Sequence, residues 1–341
     1  MSQQVAEERE SFLSPLGAYG FDEQETVLIA ALVSEDPLLL IGRSGTGKTF
    51  LLNTLSEALG LEHRHYNASL LSFDDLVGFP YPDDARETVN FLETPATIWG
   101  AESVLVDEIS RCKPEHQNRL FSLIHERRVQ GIELEKLRYR WAAMNPITGD
   151  QGDSEEYLGS EPLDPALADR FALIVNVGDW AQLANEDRRR VADPSGEGLL
   201  AGDDGRLARH VEAWRKDFER ELPRCPGEII DYACIAATAL VNAGVRVSPR
   251  RVRLITRTLL AASLVAGEVN ENLFESVLAQ SLPHVAWGQA VDVDRVRAAH
   301  RIAWVATQAD EEEKWLHQFH LELEIDAKAR WLVESCPGPD V

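Results

Sequence analysis

The sequence predicts an α/β fold, in which a five-stranded parallel sheet with flanking helices is followed by an all-helical lid domain. Five short apolar runs indicate buried strands, at residues 38–41, 63–66, 104–106, 139–144 and 172–177. Helix-like stretches lie between them, and strands that alternate with helices favour a parallel sheet covered on both faces. After Asp179 the short runs stop, and longer stretches rich in Ala and Leu follow with helical periodicity.

The same pattern predicts how the chain is organised. We expect an N-terminal helical segment over residues 1–36, the α/β core over 37–178, the helical lid over 179–290 and a helical C-terminal extension over 291–341. Individual helices are expected at residues 49–59, 114–127, 229–243, 249–266 and 291–306, and one or two charged amphipathic helices within 309–335. The Gly- and Asp-rich residues 193–206 indicate a loop.

Composition and charge limit the possible functions. Apolar residues make up 44% of the 341, which is enough for a core, and no long charge-free run indicates a membrane span. The formal net charge of −23 repels a phosphate backbone, so nucleic acid is disfavoured as a partner. The polar N-terminus lacks the features of a secretory signal, so we expect a cytoplasmic protein. The four cysteines have neither disulfide nor zinc spacing, which indicates reduced thiols.

The first specific motif lies between the first expected strand and the helix after it. Residues 42–49 fit the pattern G-x-x-x-x-G-K-[ST], in which glycines let backbone N–H groups curl around phosphate oxygens. We expect Lys48 to reach the β- and γ-phosphates and Thr49 to ligate Mg²⁺. The predicted nucleotide-binding residues are Gly42, Ser44, Gly45, Thr46, Gly47, Lys48, Thr49 and Phe50. The competing interpretation is a glycine-rich turn with a chance lysine.

Two adjacent acids, Asp107 and Glu108, end the third apolar run. Parallel strands bring their carboxyl ends to one edge, so this pair can lie beside the phosphate loop. We expect Asp107 to hold Mg²⁺ and Glu108 to act as the general base that activates water. The alternative is a solvated strand end, because Asp-Glu pairs are common.

A polar amide, Asn145, follows the next strand in the run Met-Asn-Pro. At that position it can orient the attacking water against the γ-phosphate. An Asn in a turn before Pro is equally consistent with this short pattern.

Several segments resemble, in this order, the MoxR group of AAA+ ATPases and the related NorQ- and CbbQ-type activators. They are Val-Asp-Glu-Ile-Ser-Arg at 106–111, Met-Asn-Pro at 144–146 and Leu-Asp-Pro-Ala-Leu-Ala-Asp-Arg-Phe at 163–171, with shorter matches at 73–78, 125–129 and 247–250. The resemblance covers roughly residues 15–265. It implies a P-loop AAA+ core, an all-α lid, and ATP with Mg²⁺ as cofactors.

By this resemblance Arg170 is an arginine finger that reaches the γ-phosphate held by a neighbouring subunit. Arg250 is the sensor 2 residue, which contacts the same phosphate from the lid. A finger acting on a neighbour implies a homo-oligomeric ring, for which six subunits is the family expectation. The alternatives are an ion pair of Arg170 with Asp164 or Asp169, and a surface position for Arg250, with Arg251 beside it.

Two further segments depart from the regular pattern. Residues 79–93 occupy the place where the family inserts a hairpin or a helix, and Phe79 and Tyr81 either face a substrate in the pore or pack under the insert. The acidic residues 149–156 form either a partner-facing loop or a solvated one.

These features predict an ATP-driven ring that remodels, activates or chaperones a protein. By resemblance the client is often a von Willebrand factor A domain protein or a metalloenzyme that needs activation. One alternative is a nucleic-acid motor or a McrB-like restriction NTPase subunit, which the net charge disfavours. Another is a nucleotide-gated scaffold that barely hydrolyses ATP, which the catalytic candidates disfavour.

Overall fold

A sheet of short strands, most of them buried on both faces, forms the centre of the molecule in a computed structural model of the chain. The structure describes residues 11–83, 88–112, 114–147, 160–196, 203–309, 316 and 319–334. Their strands are β1 (Leu38–Ile41), β2 (His63–Asn67), β3 (Pro80–Asp83), β4 (Thr88–Phe91), β5 (Ser103–Asp107), β6 (Arg128–Val129), β7 (Ile132–Glu133), β8 (Tyr139–Met144) and β9 (Leu173–Asn176). Five of these pair in parallel in the order β2-β5-β8-β1-β9. The five predicted strands are therefore confirmed, within one residue at each end, but β2 is not a buried apolar strand, since only Tyr66 of it is buried.

Helices flank this sheet and make up the C-terminal part of the described chain. They are α1 (Glu25–Ser34), α2 (Lys48–Ala58), α3 (Phe73–Val77), α4 (Pro114–Phe121), α5 (Pro165–Ala168), α6 (Asn185–Ala192), α7 (Arg206–Glu221), α8 (Gly227–Asn242), α9 (Pro249–Ala266), α10 (Glu271–Gln280), α11 (Val293–Gln308) and α12 (Ile325–Glu334). A π-helical turn, Ser122–Glu126, continues α4. No helix within the described ranges is both long and apolar enough to cross a membrane.

Each face of the sheet has its own apolar core. On β1, Leu38 and Leu40 face the core that contains α1, α2 and the helices from α7 to α11. Leu39 and Ile41 face the core that contains α4. All four are at most 3% exposed. Burial on both faces is typical of parallel sheets, which explains why β1 is a continuous apolar run.

The helical lid is confirmed, and α1 joins it. The helix α1 packs against α7 and α9, and α8 packs against α9 and α11. Ser248 caps α9 by accepting a hydrogen bond from the Arg251 N–H, and Pro249 occupies the first turn. The domain boundaries expected from the sequence stay predictions.

The N-terminal segment is less helical than the sequence predicts. Before β1 the described residues hold one α-helix, Glu25–Ser34, and a short 3₁₀ turn, Ser14–Leu16. Gly17 and Gly20 have φ values of 80° and 78°, which interrupt a helix. Phe21 is nevertheless buried. The helical spacing is therefore confirmed within α1, whereas Phe21 packs in the core from outside a helix.

The inserted segment is a hairpin, since β3 and β4 pair antiparallel. Phe79 is 65% exposed and Tyr81 is 47% exposed, so neither packs under the insert as one interpretation proposed. The acidic residues 149–156 lie outside the described residues, as do 197–202 of the expected loop at 193–206.

Three arginines converge on Glu35, which follows α1. Its carboxylate lies 2.7 Å from Arg138 Nε, 3.2 Å from Arg215 Nη1 and 3.5 Å from Arg127 Nη2. Arg215 belongs to α7, whereas Arg138 directly precedes β8. This ionic cluster joins the lid to the edge of the sheet at which β1 and β8 begin.

Candidate nucleotide site

The phosphate loop, residues 42–47, connects β1 to α2 and is shaped by glycine. Gly45 and Gly47 have φ values of 80° and 83°, a conformation that glycine adopts without strain. A Cβ at Gly42 would lie 3.0 Å from the Val177 Cβ, so a side chain there would crowd the chain after β9. Because α2 begins at Lys48, its unpaired N–H groups face the loop. The local backbone therefore forms a cradle for an anion.

Lys48 lies at the centre of this cradle and is 7% exposed. Its Nζ donates hydrogen bonds to the carbonyl oxygens of Gly42, at 2.6 Å, and Arg43, at 2.7 Å. The same nitrogen lies 3.3 Å from Asn145 Oδ1. Burial lowers the pKa of Lys48, although the two acids at the end of β5 oppose that effect. A buried ammonium group is thereby held ready for a phosphate oxygen.

Asp107, at the end of β5, meets the start of α2. The Thr49 hydroxyl donates a hydrogen bond of 2.8 Å to Asp107 Oδ2. His65 Nε2 lies 3.4 Å from the same oxygen, and the Glu108 N–H donates to Oδ1 at 2.8 Å. Burial would raise the pKa of Asp107, but the bonds from His65, Thr49 and the Glu108 backbone outweigh it and lower that pKa. The carboxylate is therefore ionised at neutral pH.

Glu108 occupies the left-handed region, with φ 52°, and starts the 3₁₀ turn Ile109–Arg111. Its carboxylate pairs with Arg111 Nε at 3.2 Å. Non-glycine residues adopt this conformation rarely, and such residues concentrate at functional sites. Glu108 lines the same cavity as the phosphate loop.

These groups line one cavity of about 330 Å³. Its lining residues are Ser44, Gly45, Thr46, Gly47, Lys48, Thr49, Phe50, Asp107, Glu108, Met144 and Asn145. The structure thus brings together the predicted phosphate loop, the acids Asp107 and Glu108, and Asn145. Gly42 is not among the lining residues, but its carbonyl accepts a hydrogen bond from Lys48 Nζ.

A second cavity, of about 560 Å³, adjoins the first and shares residues 45–47 and Phe50 with it. Residues 17–21 form one wall, and residues 177–180 and 190–194 form another. The side chains facing it are mainly apolar and aromatic, among them Tyr19. A cavity of this size and character is typical of small-molecule sites.

Arg170 and Arg250 lie at the edge of the sheet where its parallel strands begin. The nucleotide site lies at the opposite edge, where these strands end. β9 runs parallel to β1, with Leu38 aligned to Leu173, so Arg170 precedes β9 at the edge where β1 begins. The phosphate loop follows the far end of β1, and a four-residue strand spans about 13 Å. Among the described residues that line the two cavities, neither arginine occurs.

Asp169 holds the first two arginines of α9, Arg250 and Arg251, at this edge. Its Oδ2 accepts from the Ser248 hydroxyl at 2.8 Å and pairs with Arg250 Nη1 at 3.4 Å. Its Oδ1 pairs with Arg251 Nε at 3.4 Å. Arg251 is 1% exposed and also donates to the Ala172 carbonyl at 3.0 Å. Arg251 is thus a buried structural residue, whereas Arg250 remains partly open to solvent.

Arg170 is held differently from the ion pair considered in the sequence. Its guanidinium stacks on the Phe121 ring at 4.5 Å, and its Nη1 donates to the Ala166 carbonyl. Burial, followed by the positive charge of Arg250, lowers the pKa of Arg170. Two guanidinium groups therefore share one edge of the sheet without either lying near its own phosphate loop.

The family comparison agrees with this geometry, since residues 37–171 match the family described as AAA domain (dynein-related subfamily). The chain carries an AAA domain. It is accordingly an ATP-hydrolysing P-loop enzyme that binds nucleotide.

Among solved structures, one described as a "putative ATPase" from Cytophaga hutchinsonii is similar over 85% of this chain and 92% of that one. Its TM-score is 0.61 at 17% identity, so the likeness establishes the fold alone. A comparison with curated protein sequences gives no match.

Sequence reasoning missed several residues around the AAA site. His65 contacts Asp107 across the β2–β5 pair, and only the pairing of these strands reveals it. Arg43 pairs with Asp179 at 3.1 Å, which ties the phosphate loop to the chain after β9. The wall at residues 17–21 was also missed, because it carries turns instead of a motif.

Proposed function

We propose that this protein is an AAA+ ATPase whose catalytic sites form between the subunits of a ring, and that the ring remodels, activates or chaperones a protein partner. One observation carries this proposal: Arg170 and Arg250 lie together at the sheet edge opposite their own phosphate loop. Neither arginine reaches its own γ-phosphate from there. A neighbouring subunit that presents its phosphate loop to this edge gives both arginines a phosphate to bind.

Within one subunit, the residues that line the phosphate cavity bind the nucleotide and activate the attacking water. Lys48 neutralises the β- and γ-phosphates, and the loop N–H groups hold their oxygens. Glu108 removes the proton from the attacking water, and Asn145, 3.3 Å from Lys48 Nζ, orients that water. The ion pair of Glu108 with Arg111 must open for the carboxylate to serve as this base.

Mg²⁺ fits the oxygens at the start of α2. The Thr49 hydroxyl and the Asp107 carboxylate lie 2.8 Å apart and both line the phosphate cavity. The described residues contain no cluster of three or more metal-binding side chains, and Mg²⁺ needs none when phosphates and water complete its shell. Thr49 and Asp107 would hold the ion, which neutralises charge on the phosphates when bound.

The neighbouring subunit contributes the remaining positive charge. Arg170 acts as the arginine finger, and Arg250 acts as the sensor 2 residue, on a γ-phosphate that another chain holds. Asp169 orients Arg250 directly, and it precedes Arg170 in the chain. A ring results from this head-to-tail contact when the rotation between subunits closes, and six subunits is the expectation from MoxR resemblance.

The base of ATP fits the second cavity, which adjoins the phosphate loop. Tyr19 and Phe50 offer aromatic faces there, and Arg190 lies over the Tyr19 ring at 5.7 Å. The wall at residues 17–21 comes from the segment before β1, and the wall at residues 190–194 comes from the end of α6 and the two residues after it. Nucleotide binding therefore joins the N-terminal segment to the start of the helical region.

A protein partner agrees best with the charge and with the exposed hairpin. The net charge of −23 repels nucleic acid, whereas Phe79, directly before β3, and Tyr81, on β3, are exposed to solvent. Exposed aromatic side chains at this hairpin can bind an extended polypeptide segment of a partner. MoxR resemblance points to a von Willebrand factor A domain protein or a metalloenzyme as that partner.

Sedimentation and ATPase assays over a range of protein concentration test the composite site. Hydrolysis per chain should rise with concentration as rings form, while single-chain nucleotide binding stays constant. Phe79→Ser with Tyr81→Ser should lose stimulation by a protein client and keep basal hydrolysis. Constant activity per chain down to the monomer would contradict the proposal, and stimulation by duplex DNA would contradict the protein partner.

A further inference from the structure

The turn that follows α4 has an uncommon conformation. Ser122–Glu126 is a π-helical turn, and Arg127 after it has φ 56°. Turns of the π type are rare and occur frequently at functional sites, because the added residue changes the direction of the side chains. A left-handed conformation at a non-glycine residue is also costly, and it persists only when the surroundings hold it. This turn presents the exposed residue His125.

Two side-chain contacts, one buried and one partly exposed, hold the turn in place. Arg140, on β8, is 4% exposed and donates from Nε to the Ile124 carbonyl at 3.1 Å. Arg127 pairs with Glu35 at 3.5 Å, in the ionic cluster behind β1. Ile124 itself is fully buried. The π-helical geometry is therefore fixed from the core side, while His125 points outward.

The arginines of the proposed composite site are the charged neighbours of His125. Arg170 stacks on Phe121, four residues before His125. Burial lowers the pKa of His125, and the charges of Arg250, Arg170 and Arg140 lower it further, while Glu126 acts in the opposite direction. The described structure gives the imidazole no hydrogen-bond partner. His125 thus follows, by about one helical turn, the ring on which Arg170 stacks, and its side chain is exposed.

We propose that His125 is a third residue that each subunit supplies to its neighbour's nucleotide, donating a hydrogen bond from its imidazole to the γ-phosphate beside Arg170 and Arg250. This inference rests on the composite site proposed above. In the free chain, burial and then the two guanidinium groups lower the pKa of the imidazole. A docked γ-phosphate offsets their charge, and a nearby anion favours the protonated imidazole. Binding of the neighbour's ATP then strengthens the contact by proton uptake.

Two variants separate this role from simple packing. His125→Ala should lower kcat about tenfold or more, as loss of one transition-state donor does, with the KM for ATP changed about twofold or less. His125→Gln keeps an N–H donor and should recover part of that loss. His320→Ala, at another exposed histidine, is the matched control and should retain normal activity. Thermal melts should be unchanged for all three variants.

The pH profile and subunit mixing complete the test. The kcat of the normal protein should fall on the alkaline side as His125 loses its proton, and His125→Gln should lack that fall. His125→Ala chains mixed with Glu108→Gln chains should regain activity, because each supplies what the other lacks. Unchanged kcat in His125→Ala, alongside inactive Arg170→Ala chains that Glu108→Gln chains rescue, would overturn the His125 role alone. If Arg170→Ala is not rescued either, the composite site itself is wrong.

Discussion

Asp169, the residue directly before Arg170 in the chain, pairs with Arg250 at 3.4 Å. The same carboxylate caps the start of α9 through Ser248 and neutralises the buried Arg251. One side chain therefore fixes the helical lid to the end of α5 and sets where both candidate trans-acting arginines lie.

Asp169→Asn should both destabilise the protein and reduce hydrolysis. The substitution leaves Arg251 buried without its counter-charge, which costs about 3 kcal/mol of unfolding free energy. Urea unfolding would measure that loss, and the steady-state rate would report the misplaced Arg250. Asp217→Asn, which breaks an exposed ion pair with Arg220 on α7, is the control and should change stability by less than about 1 kcal/mol. Equal effects of the two changes would contradict the role assigned to Asp169.

Lys48→Ala should abolish nucleotide binding. The variant loses the ammonium group that lies against the loop carbonyls, so the cradle has less positive charge to offer phosphate oxygens. Titration with a fluorescent ATP analogue would measure the affinity, with circular dichroism to show that the fold is intact. Lys216→Ala, at an exposed site on α7, should bind normally. Tight binding by Lys48→Ala would mean that nucleotide occupies another site.

Glu108→Gln should bind ATP and fail to hydrolyse it. The amide cannot accept the proton of the attacking water, while Lys48 and Thr49 stay in place. We expect turnover to fall by about a hundredfold or more, and ATP to stabilise the oligomer in sedimentation. Glu133→Gln, at an exposed position on β7, is the control. Unchanged turnover in Glu108→Gln would assign the general base to another residue.

The prediction of the fold depended on features that are local in the sequence. The apolar run at Leu38–Ile41, the phosphate loop and the helix start at Pro249 each carry their own signal, and each lies where expected. The roles of His65 and Asp169 have no such local signal. His65 contacts Asp107 because β2 pairs with β5, and Asp169 contacts Arg250, which lies 81 residues further along the chain. The short π-helical turn after α4 likewise depends on tertiary contacts from Arg140.

Acid should destabilise the protein through His63. Its Nδ1 lies 2.8 Å from the Ser103 hydroxyl and its Nε2 lies 3.1 Å from Asn53 Oδ1, so both nitrogens of the neutral ring are used. Burial, with the nearby His65 and Arg64, lowers the pKa of His63 to about 4. The unfolded state keeps a pKa of about 6.5 and binds the proton first as the pH falls.

Stability supplied by His63 is therefore fully present above about pH 6.5 and is lost between that pH and about 4. One proton gives a slope of up to about 1.4 kcal/mol per pH unit. Urea unfolding of the normal protein and of His63→Asn at several pH values would isolate this contribution. The variant should show a shallower fall in unfolding free energy with acid. Parallel curves for the two proteins would show that His63 is protonated equally in the folded and unfolded states.

The most direct test of the composite site mixes two inactive chains. Arg170→Ala keeps the phosphate cavity intact, and Glu108→Gln keeps the sheet edge that carries Arg170 and Arg250 intact. Neither variant alone should hydrolyse ATP at an appreciable rate. In a random equal mixture about a quarter of the head-to-tail interfaces join an intact Glu108 to an intact Arg170, so ATPase activity should reappear. No activity at any mixing ratio, in chains shown to assemble together, would contradict catalysis between subunits.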